Sequence, residues 1–194
     1  CYSNQMETGC IGRLSEEVNV RCTEAESGQM EQRILSNLIS KSFEILYNAT
    51  DFPQAVQSIL ALVGETMGIS RAYIFENEEG GEVTSNTFEW CSEGIEPQKE
   101  RLQVYPYVID GRDYRDNFNE DGIFYCQDVD KLTGWERELF REQGILSSLQ
   151  CAIQSGGHFL GFAGIDDCSV KRMWTREQIN ALVFEGKLLA VFLL

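Results

Sequence analysis

Two pairs of carboxylates are the first residues in this sequence that could do chemistry. Asp166 and Asp167 are adjacent, and Asp128 and Asp130 flank a single valine. Paired carboxylates can bind a divalent ion or carry out acid–base catalysis. Adjacent acids at the end of a strand more often form turns or cap backbone N–H groups. We therefore predict neither a metal site nor a catalytic residue at these pairs.

Three cysteines, Cys91, Cys126 and Cys151, offer a thiol or redox site if the fold brings them together. The seven cysteines of the chain contain no CxxC pair, and Cys126 and Cys151 stand in apolar, strand-like runs. This pattern is typical of buried free thiols in a reducing cytoplasm, which is the predicted location. A redox switch or thiol enzyme remains the alternative, and it requires two of these Cα atoms within about 4.4–6.8 Å of each other.

Other catalytic machinery is missing from the sequence. His158 is the single histidine, so a histidine-based metal site is excluded. The Gly-Gly pairs at residues 80–81 and 156–157 read as hairpin turns and not as phosphate-binding loops. No serine stands in a nucleophile elbow. The chain is therefore predicted not to be an enzyme and to carry no cofactor.

Aromatic side chains are the remaining candidates for function. In residues 85–95 polar and aromatic residues alternate through Trp90, and a polar turn follows. Such a strand can form the wall and rim of a small-molecule pocket, although a pocket filled by its own aromatic rings is the alternative. Alternation puts Phe88 and Trp90 on one face and Thr87 and Glu89 on the other. The candidate ligand-binding residues are Tyr73, Phe75, Phe88, Trp90, Tyr105, Tyr107, Phe124 and Cys151.

Periodicity predicts the elements that position these residues. Apolar residues at helical spacing begin at Met30, and a second helix runs from an Asp51 cap to Gly68. Two strands, an irregular stretch over residues 97–122, a third strand over residues 123–129 and a short helix over residues 135–143 follow. Thr133 caps the start of this helix and Gly144 ends it. A strand pair and a last helix capped by Thr175 complete the chain. This order predicts an α+β fold, with an antiparallel sheet and the long terminal helices on one face.

Charge and length exclude several classes of protein. The 194 residues carry a net charge of −15, which disfavours binding to nucleic acid and to anionic membranes. No apolar run is long enough to span a bilayer. Residues 1–29 are polar and are interpreted as a linker or the tail of a preceding domain, and residues 30–194 as the folded domain. The terminal helices are apolar on several sides, which predicts a homodimer or a covering neighbour domain.

Four stretches together resemble the GAF domain, a small-molecule-binding module of signalling proteins. They are residues 68–76 (Gly-Ile-Ser-Arg-Ala-Tyr-Ile-Phe-Glu), residues 85–98, residues 142–145 (Glu-Gln-Gly-Ile), and residues 161–168 (Gly-Phe-Ala-Gly-Ile-Asp-Asp-Cys) followed by Arg172, Trp174, Thr175 and Ile179. The combination is similar to bacterial GAF domains fused to diguanylate cyclase, phosphodiesterase or histidine kinase modules. The resemblance implies about six strands, a ligand pocket roofed by the irregular stretch, and dimerisation through the terminal helices.

The resemblance also sets the functional expectation. It implies a non-catalytic, cytoplasmic, dimeric domain that senses an unidentified small molecule and controls a cyclic-di-GMP or histidine kinase output. Asn117-Phe118 matches the cyclic-nucleotide signature poorly, no cysteine has a phytochrome-type attachment context, and His158 is poorly placed to bind haem. Motifs of the methionine sulfoxide reductase branch are absent. A structural dimerisation module without a ligand is the alternative.

Overall fold

The computed structural model describes the backbone of residues 7–193 and the side chains of residues 26–191. The helices are α1 (Glu7–Tyr47), α2 (Phe52–Met67), α3 (Trp135–Glu142) and α4 (Arg176–Leu193). The strands are β1 (Arg71–Asn77), β2 (Val83–Cys91), β3 (Tyr105–Pro106), β4 (Val108–Ile109), β5 (Arg112–Asp113), β6 (Ile123–Cys126), β7 (Ser147–Ser155) and β8 (His158–Asp167). Single 3₁₀ turns span Lys99–Arg101, Tyr114–Asn117 and Val129–Lys131.

Six of the strands form one antiparallel sheet in the order β3-β2-β1-β8-β7-β6. Strands β4 and β5 make a separate two-stranded ribbon. Helices α2 and α4 pack on one face of the sheet, and α1 packs against both of them. The irregular stretch and α3 cover the opposite face. This architecture confirms the predicted α+β fold, with its six-stranded sheet and its terminal helices on one side.

Local signals set the bounds of α2 as predicted. The Asp51 carboxylate accepts a hydrogen bond from the backbone N–H of Gln54 at 3.0 Å, and Pro53 occupies the first turn. At the other end Gly68 adopts φ 59°, and this left-handed conformation ends the helix at little steric cost. Thr175 likewise caps α4, accepting from the N–H of Gln178 at 3.2 Å.

Three element boundaries differ from the sequence predictions. Helix α1 begins at Glu7, so residues 7–29 continue the helix that apolar periodicity placed only from Met30; the domain boundary at residue 30 stays a prediction. Strand β6 ends at Cys126, because Asp128 turns the chain by accepting from the N–H of Asp130. Gly134 and not Thr133 precedes α3, since the chain enters this helix at φ 84°.

The core between the helices and the sheet is aliphatic. Its fully buried members include Val56, Ile59, Ala72, Ile74, Leu149 and Ile165. Trp90 of β2 lies across α2 at Gly64, where a Cβ atom would clash with the indole ring. The glycine therefore lets the helix and the strand approach closely. None of the helices described here combines the length and the apolar character that crossing a bilayer requires.

Replacing Gly64 by alanine is expected to lower the free energy of unfolding by about 1–2 kcal/mol. Overpacking against the Trp90 ring costs about 1–3 kcal/mol, and the better helix propensity of alanine returns up to about 1 kcal/mol. Urea denaturation measures the change. Gly28→Ala on α1 is the matched control, because nothing lies within 4 Å of its Cβ position, so it should leave stability unchanged or raised. Equal stability of the two variants would contradict the packing argument.

Candidate ligand-binding site

A cavity of about 50 Å³ lies on the face of the sheet opposite α2 and α4. Its floor comes from β1, β2, β7 and β8, its roof from residues 102–107 and Tyr114, and one side from α3 and the turn after it. Most of the lining is aromatic or aliphatic, with a few polar side chains among them. Its position under the irregular stretch is that of the predicted pocket.

The aromatic wall is built from rings that contact one another directly. Phe75 and Phe162 stack with centroids 4.6 Å apart, and Tyr73 meets Phe75 edge to face at 5.6 Å. Tyr114 comes down from the roof to within 5.7 Å of both Phe162 and Trp135. Such contacts favour fixed ring positions. The rings of the wall therefore hold one another in place.

A chain of buried hydrogen bonds crosses the floor. The hydroxyl of Tyr114 donates to Gln150 Oε1 at 2.8 Å, and Gln150 Nε2 donates to the hydroxyl of Tyr73 at 3.0 Å. Tyr73 in turn donates to Asp166 Oδ1 at 2.9 Å. Burial raises the pKa of Tyr73 and of Tyr114 well above the usual value, so both hydroxyls keep their protons.

Asp166 ends this chain, and burial raises its pKa to about 6. Hydrogen bonds from Ser148 and Tyr73 and the charge of Arg71 oppose that rise only in part. Gly164 makes the arrangement sterically allowed, because a Cβ atom there would fall against the Tyr73 ring. The glycine of the Gly-Phe-Ala-Gly-Ile stretch thus lets Tyr73 lie across β8 and reach the carboxylate.

Arg71 holds two backbone segments at one end of the cavity. Its Nε donates to the carbonyl of Glu96 at 3.2 Å, and its Nη2 donates to the carbonyl of Gln143 at 2.8 Å. The side chain is almost fully buried, and Nη1 lies 3.9 Å from Asp166 Oδ2. Arg71 therefore fixes the start of the roof and the end of α3 relative to β1.

Glu89 and Tyr107 attach the roof to the sheet at two further points. The Glu89 carboxylate accepts from the backbone N–H groups of Gln98 and Lys99 at 2.9 and 3.0 Å. The Tyr107 hydroxyl donates to Asn77 Oδ1 at 2.6 Å, and the Arg115 guanidinium lies 4.9 Å above the Tyr107 ring. Both attachments order the irregular stretch over the cavity.

The structure brings four of the predicted ligand-binding residues together around the cavity. Tyr73, Phe75, Tyr105 and Tyr107 line it. Phe124 belongs to the same aromatic cluster but lies behind Tyr114, with ring centroids 6.0 Å apart, and does not line the cavity. Binding of a ligand by these residues stays a prediction.

The expectation that Phe88, Trp90 and Cys151 line the pocket is wrong. Phe88 and Trp90 pair with Ile74 and Ala72 of β1 and face the helices with them. Cys151 faces α4, where its Sγ lies 3.5 Å from the Leu182 carbonyl oxygen. These side chains serve the helix-side core, and their aromatic or sulfur character reflects packing and not ligand binding.

Several other lining residues, most of them polar, were not among the predicted ligand-binding residues, although Asp166 was considered above as one of a carboxylate pair. They are Arg71, Asn86, Glu89, Tyr114, Trp135, Gln150 and Asp166. Strand alternation from Tyr73 would have found Arg71, which is two positions earlier on the same face. Asn86 and Glu89 stand three apart, and they share a face only because the register shifts between Ile74 and Phe75.

The three candidate cysteines are not brought together. Cys91 on β2 is separated from β6 and β7 by β1 and β8, a distance of at least three strand spacings, or about 14 Å. Cys126 faces the aromatic cluster, whereas Cys151 faces the helices. Burial raises the pKa of Cys91 and Cys126 to about 11 and that of Cys151 to about 12. These thiols are protonated and inert near neutral pH.

The carboxylate pairs make ion pairs and backbone contacts. Asp128 and Asp130 both pair with Lys171 at 2.8 Å, and Asp130 also pairs with Arg141. Asp167 accepts from the N–H groups of Ser169 and Val170 at the turn after β8, as predicted for acids at a strand end. Within the residues that the structure describes, no group of three or more His, Cys, Asp or Glu side chains could hold a metal ion.

The sequence is similar to that of a known protein family and of a known histidine kinase. A family model described as "GAF domain" matches residues 51–192. The methanogenesis regulatory histidine kinase FilI of Methanothrix harundinacea (strain 6Ac) is 34% identical over 154 residues, which is 77% of this chain. The chain spans only 17% of the length of that kinase.

Solved structures with the same fold include domains of phytochromes. The phycocyanobilin-bound GAF domain from a cyanobacterial phytochrome superimposes with a TM-score of 0.65 at 12% identity, over 82% of this chain and 93% of that one. The chromophore-binding domain of Stigmatella aurantiaca phytochrome P1 gives a TM-score of 0.64 at 14% identity, over 82% of this chain and 60% of that one. At these identities the likeness concerns the fold alone.

Proposed function

Because this chain belongs to the GAF domain family, we propose that it is a non-catalytic, small-molecule-sensing domain of a signal-transduction protein. The observation that carries the proposal is the cavity opposite the helices, with a wall of aromatic rings in mutual contact and unpaired polar atoms on three of its lining residues. Pockets of this composition bind small molecules. The described residues that line the cavity include no Ser, Cys, Lys or His, which fits binding better than nucleophilic catalysis.

The sheet is the proposed route from the cavity to the helices. Residues of β1, β7 and β8 alternate between the two faces, so Tyr73 lines the cavity while Ala72 and Ile74 pack beneath α2. On β7, Gln150 lies in the floor and Cys151 contacts α4. A ligand that binds one arrangement of the roof and floor more tightly would shift the packing of α4 and α1.

We propose that the output of the full-length protein is a histidine kinase or a cyclic-di-GMP enzyme. The 34% identity with a regulatory histidine kinase supports the first of these. The bacterial origin inferred from the sequence stays a prediction. The free thiols of Cys91, Cys126, Cys151 and Cys168 support the proposed cytoplasmic location, because a reducing compartment keeps cysteines unpaired.

A homodimer through the terminal helices is part of the proposal. Large apolar side chains stay exposed on α1 and α4: Met30 54%, Ile34 45%, Phe43 56%, Tyr47 81%, Phe184 42% and Val191 76%. Contiguous exposed apolar residues mark interaction surfaces.

We expect Phe43→Glu to abolish a dimer of twice the 22.0 kDa chain mass, as measured by light scattering. Val108→Glu on β4, which is 53% exposed on the roof side, should leave the dimer intact; dissociation of both or of neither variant would contradict this interface.

The small volume favours a second candidate, a dimerisation module that binds nothing. Ligand pockets usually measure about 300–1,000 Å³, whereas this cavity has about 50 Å³. A tetrapyrrole such as those in the bilin-binding structures does not fit such a space, and none of the described cysteines lines it. The sensing proposal therefore requires a ligand of only a few heavy atoms or a roof that opens.

Native mass spectrometry and thermal unfolding with a panel of small metabolites test the sensing proposal. A ligand at one hundred times its Kd stabilises by about 2.7 kcal/mol, which corresponds to a rise in Tm of about 5 °C or more for a chain of this size. If no compound raises Tm and the native mass equals that of the bare chain, the module is structural and the sensing proposal is wrong.

A further inference from the structure

Three buried polar atoms of the cavity-lining residues have no hydrogen-bond partner. They are Nη1 of Arg71, Nε1 of Trp135 and Oδ1 of Asn86. Arg71 is 2% exposed and Asn86 is 1% exposed. Leaving such a group unpaired in a buried position destabilises the fold, and a charged group more than a neutral one. Three in one small cavity therefore point to an occupant that supplies two acceptors and one donor.

Arg71 supplies the charge that defines the occupant. Its Nε and Nη2 are held by the Glu96 and Gln143 carbonyls, so Nη1 cannot turn away without breaking these bonds. Asp166 Oδ2 lies 3.9 Å from Nη1, which is beyond hydrogen-bond distance. The two N–H groups of Nη1 thus lack an acceptor while Nε and Nη2 hold the guanidinium in place, and a carboxylate is their strongest partner.

Asn86 supplies the acceptor. Its Nδ2 lies 3.5 Å from Glu89 Oε1, and since a carboxylate only accepts hydrogen bonds, this long contact favours the amide orientation with the nitrogen on that side. Oδ1 is then left for a donor. Both oxygens of Glu89 are already occupied by the N–H groups of Gln98 and Lys99.

We propose that the cavity binds a short 2-hydroxy or 2-amino carboxylate, whose carboxylate accepts from Arg71 and Trp135 and whose hydroxyl or amino group donates to Asn86. This inference rests on the proposed sensing function and names its ligand class. The cavity of about 50 Å³ restricts the ligand to a few heavy atoms. A simple cation is disfavoured, because Arg71 repels it and the nearby acids already accept hydrogen bonds.

Glycolate and glycine are the probes, and glycolamide, which has the same shape without the negative charge, is the matched control ligand. Isothermal titration of the full chain should show binding of at least one carboxylate and at least tenfold weaker binding of the amide, because a hydrogen bond to a charged group is worth about 1.5–3 kcal/mol. Acetate should bind more weakly than glycolate, because it offers no donor to Asn86.

Trp135→Phe and Trp174→Phe form a matched pair of variants. Both indole Nε1 atoms are buried and unpartnered, but Trp174 lies in the helix-side core. We expect Trp135→Phe to weaken carboxylate binding about tenfold and Trp174→Phe to leave it within about twofold. Arg71→Lys keeps the positive charge but lacks the planar guanidinium that donates to both the Glu96 and the Gln143 carbonyls. It should therefore weaken binding at least as much as Trp135→Phe.

The outcomes separate this inference from the sensing proposal. Tight binding of glycolamide, or equal affinities of the two tryptophan variants, would overturn the carboxylate assignment while leaving small-molecule sensing intact. Failure of both carboxylates to bind at millimolar concentration would also overturn it and would mean that water satisfies the three polar atoms. The metabolite panel then decides the sensing proposal by itself.

Discussion

Replacing Arg172 by methionine is expected to lower the free energy of unfolding by about 3 kcal/mol. Arg172 donates to Asp167 Oδ2 through Nε at 2.9 Å and through Nη2 at 2.7 Å. It also donates to the carbonyls of Met67 and Gly68 at the end of α2. Asp167 is fully buried, so methionine would leave a buried carboxylate without its counter-ion. Removing one partner of a buried pair costs about 3–5 kcal/mol; the lower value applies because Asp167 keeps its contacts with the Ser169 and Val170 N–H groups.

Urea denaturation at pH 7 measures this change, with two comparison variants. Arg137→Met removes an exposed arginine that pairs only with its neighbour Glu138 among the contacts described, and it should change stability by less than about 0.5 kcal/mol. Arg172→Lys keeps the charge but cannot make the two-pronged contact, so it should fall between the wild type and Arg172→Met. A methionine variant as stable as Arg137→Met would show that Arg172 does not hold α2 to the end of β8.

The same pair predicts how stability responds to acid. Burial by itself raises the pKa of Asp167, but the hydrogen bonds from Ser169, Val170 and Arg172 outweigh it and hold the pKa below the usual value. A carboxyl group of this kind stabilises the folded state above its unfolded pKa of about 4, and this stabilisation is lost as the pH falls through the lower folded value. The free energy of unfolding of the Arg172→Met variant should therefore fall less steeply than that of the wild type as the pH is lowered.

Strong local signals were enough to predict the secondary structure around α2 and the two hairpins. The Asp51 cap, Gly68 at φ 59° and the Gly156-Gly157 turn each act within a few residues. The start of α1 could not be predicted in the same way, because residues 7–29 carry no apolar periodicity although they continue the helix. Apolar periodicity arises when one side of a helix is buried. A helix without such a buried side has no periodic apolar pattern in its sequence.

The faces of β2 could not be predicted from alternation alone. Pairing of Ile74 with Phe88 and of Phe75 with Asn86 leaves Thr87 as an extra residue in β2. This bulge places Asn86 on the cavity face together with Glu89, whereas Phe88 and Trp90 lie on the opposite face under the helices. The aromatic pair was thus correctly placed on one face, but which face it occupies depends on the partner strand. The positions of the polar atoms in the cavity depend on tertiary contacts, which the spacing of residues in the sequence does not predict.

Glu185→Gln is expected to raise the free energy of unfolding at pH 8 by up to about 3 kcal/mol. Glu185 lies on α4 and is 2% exposed, and neither of its carboxylate oxygens has a hydrogen-bond partner. Burial raises its pKa from 4.5 to about 7. Each tenfold difference in proton affinity is worth about 1.4 kcal/mol, so ionisation of the buried group costs about 3 kcal/mol.

The sign of the pH dependence follows from the raised pKa. Between about pH 4.5 and pH 7 the unfolded chain ionises Glu185 while the folded chain keeps it protonated, so stability falls as the pH rises through this window. Glutamine stays neutral throughout, and the variant should lose this slope and match the wild type below pH 4.5. Glu177→Gln in the first turn of α4 is the control, and it should lower stability by up to about 1 kcal/mol because it removes a favourable charge at a helix N-terminus.

This experiment also probes the helices through which we propose that the ligand signal travels. Glu185 and Ser42 are both buried although α1 and α4 leave large apolar side chains exposed nearby. If Glu185 lowers the stability of the folded state, it disfavours tight packing of α4. Two arrangements of the helices would then lie close in energy. If so, Glu185→Gln should stabilise the domain while reducing the change in helix packing that a bound ligand produces, measured as the distance between spin labels on exposed positions of α1 and α4. A variant with wild-type stability from pH 5 to pH 8 would show that the carboxylate is solvated and has no such role.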